Sequence, residues 1–155
     1  NVARTLGLKW GLLTLALDAL KGAAGVWLVS FGMPFLSPQS DLQGLTYLHS
    51  ATAFAAVLGH TTSPFLAGKG GRGVATSAGA LLALHSGLGL LCGLVWALTL
   101  LITQTPAWAS LTLAALMVGL STHPDVSDPV RLFVILSAAL ITVRHWAHLK
   151  KLIKR

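Results

Sequence analysis

From Val74 to Ile102 the chain carries no charged side chain and is almost wholly apolar. As one helix, rising 1.5 Å per residue, this run would be about 43 Å long. The hydrocarbon core of a bilayer is only about 30 Å thick. The run is therefore too long for one crossing and too apolar to sit in water. His85-Ser86-Gly87 lies near its middle and is the expected break into two segments. The remainder follows the same plan, with apolar blocks Trp10 to Met33, Leu42 to Leu58, Trp108 to Leu120 and Val130 to Ala147. Pro34, Ser37, Pro38, Gln39, Ser40 and Asp41 supply turn chemistry between the first two blocks. The expected fold is all-α: a single membrane-embedded domain over residues 1–155, a bundle of about six transmembrane or half-spanning helices.

Composition removes the alternatives. Apolar residues make up 54% of the chain and charged residues 10%, with a mean hydropathy of +0.75. Soluble domains carry roughly 25% charge, and disordered chains need low hydrophobicity with high net charge. Lys and Arg number 11 against 4 acidic residues, all Asp, for a net charge of +7. In a soluble protein that excess would suggest nucleic acid, but no soluble face remains and no aromatic–basic interleaving occurs, so no nucleic-acid partner is expected. In a membrane protein the excess sets orientation, because cytoplasmic loops collect Lys and Arg. Splitting Val74 to Ile102 in two gives six spans and gathers Arg4, Lys9, Lys69, Arg72, Arg144, Lys150, Lys151, Lys154 and Arg155 on one side. The other side then holds Arg131 with Asp41, Asp125 and Asp128. Five spans would destroy this asymmetry. The glycine-rich segment and both ends of the chain are thus expected in the cytoplasm.

Few residues can carry chemistry. Asp18 and Lys21 stand three apart inside the first block, spaced for an ion pair that makes either charge tolerable in a bilayer. A structural pair is preferred to a direct substrate contact. The segment Gly59 to Thr76 is denser in signal: Gly68, Gly70, Gly71 and Gly73 alternate with Lys69 and Arg72 immediately before an apolar helix. Glycine lets backbone approach a ligand closely. Successive N–H groups at a helix N-terminus form an anion site, for which phosphate is the obvious occupant. A plain basic loop is the alternative.

Other patterns carry less. Gly68-x-Gly70-x-x-Gly73 fits a dinucleotide fingerprint only literally, since no strand precedes it. His123 and Asp128 match H-x4-D by coincidence, on the expected outer loop. His145 and His148 lack the further ligands a metal site needs, so neither a metal nor a cofactor is expected. The lone Cys92 reads as a core residue. Without a Gly-x-Ser-x-Gly elbow, acyl-enzyme chemistry has no support.

These residues resemble the PlsY-type glycerol-3-phosphate acyltransferases, small bacterial inner-membrane enzymes. That family's central signature is similar to G-H-x-x-P-x-F-L-x-x-K-G-G-K-G-V-A-T. Gly59, His60, Phe65, Leu66, Lys69, Gly70, Gly71, Gly73, Val74, Ala75 and Thr76 match it in register, with Arg72 for the second Lys and the Pro displaced to Pro64. Asn1, Arg4 and the following residues to Gly7 resemble the end of a first motif, G-S-G-N-x-G-A-T-N-x-x-R, and Asp18-x-x-Lys21-Gly22 also looks family-like. Arg144-His145 and Lys150-Lys151-Leu152 resemble a third, R-H-x-x-N-I-x-R-L, with His148 at the Asn position. The resemblance implies that the chain begins inside the first motif, with a seventh helix expected upstream.

It also implies transfer of a fatty acyl group from acyl phosphate to the sn-1 hydroxyl of glycerol 3-phosphate, in phospholipid biosynthesis at a site facing the cytoplasm. Under that reading Arg4, Lys69 and His145 are catalytic, while Asn1, Gly68, Gly70, Gly71, Arg72, Gly73, Thr76 and His148 bind substrate. The loop with Lys69 and Arg72 would hold acyl phosphate, and Arg4 with His145 would hold glycerol phosphate or orient its hydroxyl. His148, kept neutral by the cations around it, would stand in for the Asn. The competing readings are a non-catalytic relative that binds lipid phosphate or a partner protein, and a small transporter. Oligomeric state is not readable from the sequence.

Overall fold

The computed structural model describes residues 2–36, 41–63, 67–68 and 70–153, without the side chains of 34, 36 and 147–153. The described residues are helical apart from short connections. α1 spans Val2–Leu6, α2 Leu8–Leu36, α3 Leu42–Thr61, α4 Val74–Leu84, α5 Ser86–Thr103, α6 Pro106–Leu120 and α7 Asp128–Ile153. Helix is the natural outcome for apolar blocks in lipid, where each backbone group must find its partner within the segment. Among the described residues, three helices are long and apolar enough to cross a membrane: Leu8–Met33 of α2, Ser86–Thr103, and Asp128–Trp146 of α7. α4 and α6 are shorter apolar helices, about 16 and 22 Å long at 1.5 Å per residue. Each is therefore short of a full crossing, and α4 does not form a span by itself.

The break in the long apolar run falls at His85. This residue is extended (φ −153°, ψ 93°), ends α4 and caps α5. Its Nδ1 accepts the Leu88 N–H at 3.4 Å, giving an otherwise orphaned amide a partner. The chain then turns back so sharply that Gly89 lies against the backbone of Leu82. Other boundaries differ from the sequence-based expectation. α2 continues through Pro34 to Leu36, α3 takes in Gly59, His60 and Thr61 from the glycine-rich segment, and α7 carries the basic tail as helix to Ile153. Gly7, at φ +96°, separates α1 from α2. Asp41 caps α3 by accepting the Gly44 N–H at 3.2 Å.

α2 runs antiparallel to both α3 and α4. Ser30 meets His49 and Lys21 meets His60 across α2 and α3, at 2.9 Å each. Along α4, Gly22 abuts the Thr76 carbonyl and Gly79 abuts that of Ala19. In lipid no hydrophobic force drives helices together, so association relies on small residues that let backbones approach. The core gathers Ala53, Val57, Ala80, Leu81, Cys92, Leu113, Met117, Phe133, Val134 and Ile141. Cys92 is fully buried there, as its apolar setting suggests. Large side chains such as Leu28, Phe31, Leu101, Ile102 and Val143 point outward, onto the surface that lipid would cover.

The α2–α4 contact yields a direct test. A methyl group at Gly22 or Gly79 would strike backbone, whereas one at Gly93 meets nothing within 4 Å. Gly22→Ala and Gly79→Ala should each cost about 1–3 kcal/mol by overpacking. Gly93→Ala should be neutral or slightly stabilising, because alanine favours helix. Thermal unfolding of the three variants in detergent checks this.

Candidate active site

The glycine-rich segment is folded onto the end of α3 and held there from α7. The Gly71 N–H donates to the His60 carbonyl at 2.9 Å, and the Gly68 N–H to that of Ser63 at 3.0 Å. From α7, Nη2 of Arg144 donates to the carbonyls of Thr61, Gly70 and Gly71, at 2.8, 2.9 and 3.1 Å. This corrects one expectation: the Gly71 amide is committed to protein rather than offered to a ligand. Arg144, which resembles the first residue of the third motif, directs Nη2 onto backbone carbonyls.

The start of α4 follows one step along the chain. Gly73 sits at φ +84°, a left-handed conformation that glycine adopts freely, and caps α4. The first N–H to bond back is that of Ser77, onto the Gly73 carbonyl at 2.8 Å. The amides of Val74, Ala75 and Thr76 therefore lack helical partners and point out of the N-terminus, where the helix dipole favours an anion. Thr76 is fully buried, and its Oγ1 has no hydrogen-bond partner among the described residues. Arg72 is exposed beside this terminus.

His145 follows Arg144 on α7 and is 1% exposed. Its Nδ1 lies 2.8 Å from the Ile141 carbonyl. A carbonyl only accepts, so Nδ1 is the donor in this bond. Arg4 is exposed on α1, which packs Ala3 against Gly11, and it makes no hydrogen bond or ion pair among the described residues. Asn1 and Lys69 lie outside the described residues, as does the side chain of His148, which belongs to α7. The structure thus brings Gly68, Gly70, Gly71, Arg72, Gly73 and Thr76 together on one loop and helix start, and ties that loop to the helix bearing His145.

A polar cluster beside the loop was only half visible in the sequence. Asp18 and Lys21 do pair, Oδ1 to Nζ at 2.9 Å. The pair also engages His60, whose Nδ1 is 2.9 Å from Lys21 Nζ and 3.3 Å from Asp18 Oδ1. These residues line a cleft of about 530 Å³ with Ala56, Gly59, Ser63 and Gly71. The Gly59-His60 pair at the head of the central signature was the one available signal. Among the described residues, no group of three His, Cys or acidic side chains is placed to hold a metal ion.

Antiparallel helices packed through small residues, several of them long and apolar enough to cross a membrane, with a glycine loop tied to the helix that bears a buried histidine, define a helical integral membrane protein. Comparisons with known proteins make this specific. A family model described as glycerol-3-phosphate acyltransferase matches residues 1–155. The chain is 35% identical over 156 residues to a glycerol-3-phosphate acyltransferase of Burkholderia thailandensis, covering 99% of this chain and 72% of that protein. A glycerol-3-phosphate acyltransferase of Burkholderia ambifaria is 33% identical over 156 residues, with 99% and 68% covered. Crystal structures of PlsY, an integral membrane glycerol 3-phosphate acyltransferase, in glycerol 3-phosphate and lysophosphatidic acid forms, are 32% identical and superpose with TM-scores of 0.80 and 0.81. They are matched over 99% of this chain and 72% and 74% of theirs. The chain belongs to the glycerol-3-phosphate acyltransferase family.

The Asp18–Lys21 pair can be tested for a structural role. Removing one charge strands the other, whereas removing both is tolerated better. Asp18→Asn should lower the unfolding midpoint in detergent by several degrees, and Asp18→Asn with Lys21→Met should recover part of that loss.

Proposed function

We propose that this protein is a membrane glycerol-3-phosphate acyltransferase that takes its acyl group from acyl phosphate and gives lysophosphatidic acid and inorganic phosphate. The observation that supports the reading is the start of α4, where Gly73 caps the helix at φ +84°, the amides of residues 74–76 lack helical partners, and the preceding Arg72 is exposed. In the transfer, the sn-1 hydroxyl oxygen bonds to the acyl carbon, the bond from that carbon to the phosphate oxygen breaks, and the hydroxyl proton ends on the released phosphate. Acyl phosphate already carries a good leaving group, so no enzyme nucleophile is required. Positioning and charge stabilisation supply the catalysis.

The α4 terminus with Lys69 and Arg72 holds the donor phosphate, whose charge builds as it departs. His145, with Nδ1 tied to Ile141, orients the acceptor hydroxyl through Nε2, and Arg4 binds the glycerol phosphate group. Asn1 and His148 complete the acceptor side, and the acyl chain lies in an apolar groove between helices. The site faces the cytoplasm of a bacterial cell with the chain in the inner membrane, a placement supported by the basic residues gathered around the loop and the end of α7.

Protein reconstituted in liposomes should acylate glycerol 3-phosphate with acyl phosphate, and acyl-CoA or acyl carrier protein should be poor direct donors. Robust turnover with acyl-CoA in the strict absence of acyl phosphate would overturn the donor assignment. Orientation has its own test. Ser63→Cys and Lys154→Cys, each in a Cys92→Ala background, should react with an impermeant thiol reagent only in inside-out vesicles. Reaction of the two from opposite sides would contradict the placement.

A further inference from the structure

The His60 ring occupies the space that a side chain at position 71 would need. A Cβ on Gly71 would meet Nε2, Cε1 and Cδ2 of that ring and no closer neighbour. Gly71 is not among the residues with positive φ, so its backbone does not itself demand glycine. Its N–H is already bonded to the His60 carbonyl. Neither backbone conformation nor a ligand-directed amide therefore explains a glycine here, and the imidazole does. Gly70 differs, because its Cβ would strike the backbone of His60 and Thr61, which no side-chain change can relieve.

The ring is itself held. Lys21 and Asp18 of α2 engage Nδ1 on its other edge, and its side chain is 13% exposed at the wall of the α2–α3 cleft. α2 thereby fixes the ring, the ring fixes Gly71, and Gly71 lies two residues before the cap of α4. We propose that His60, oriented by Asp18 and Lys21, is the positioning residue for the Gly70–Gly71 segment, and that Gly71 is a glycine to receive the imidazole rather than to approach phosphate. The effect on donor affinity rests on the reading that the start of α4 holds acyl phosphate.

A double-mutant cycle in the purified protein tests this, with deuterium exchange over residues 67–76 and steady-state kinetics as separate readouts. Gly71→Ala alone should speed amide exchange in the loop and raise KM for acyl phosphate by about tenfold, leaving kcat within about twofold; interactions between touching residues reach this size. His60→Ala should do likewise more mildly. In the His60→Ala background, adding Gly71→Ala should bring little further change in either readout, because the ring it would strike is gone. His60→Asn, which keeps a polar side chain facing Lys21 but removes the ring, should relieve Gly71→Ala in the same way and serves if His60→Ala folds poorly. Additive effects in both backgrounds would overturn the proposal and return Gly71 to the phosphate. Non-additive exchange with no change in KM for acyl phosphate would support the positioning role while overturning the donor assignment of the loop.

Discussion

The site depends on one side chain, Arg144, reaching from α7 to three carbonyl oxygens at the junction of α3 and the glycine loop. Those carbonyls belong to the last residue of α3 and to the loop, where helical partners run out, so a guanidinium fork is the natural complement. The exchange is reciprocal: the guanidinium gains three acceptors, and carbonyls at the loop gain a donor. Once Arg144 is seated, Gly73 caps α4 where its unpartnered amides face outward, and His145 follows at the next position of α7. The start of α4 and the buried histidine are thereby linked through a single residue.

Helix packing supplies the rest of the geometry. Gly22 and Gly79 allow α2 and α4 to approach until backbone meets backbone. That contact sets the depth at which Asp18 and Lys21 stand, and so lets them reach His60 at the end of α3. Two charged side chains in a long apolar helix are expensive in lipid. Their mutual pairing and the nearby imidazole offset that cost, and they tie the middle of α2 to the loop.

Much of this could be read from residues alone where the physics is local. The break at His85 follows from a run longer than a bilayer is thick, and the start of α4 at Val74 follows from glycines immediately before an apolar helix. The burial of Cys92 follows from its neighbours in the chain. Contacts distant in sequence could not be read this way. His60 and Lys21 are 39 residues apart, and Arg144 lies 74 residues from Gly70. Nothing local says that the arginine serves backbone carbonyls or that the glycine at position 71 accommodates a ring. Helix ends also differ from the reading: Gly59 and Pro34 read as loop residues, yet α3 runs to Thr61 and α2 to Leu36. The roles of Arg4, Lys69 and His148 rest on family resemblance.

The most direct measurement of the central claim is calorimetric binding of a non-hydrolysable acyl phosphonate, and separately of glycerol 3-phosphate, to wild-type protein and to Arg144→Gln. If Arg144 builds the donor site by holding the loop, the variant should bind the phosphonate at least about tenfold more weakly, equivalent to about 1.4 kcal/mol, with its affinity for glycerol 3-phosphate within about twofold. Unchanged phosphonate affinity in a folded Arg144→Gln protein would contradict the account.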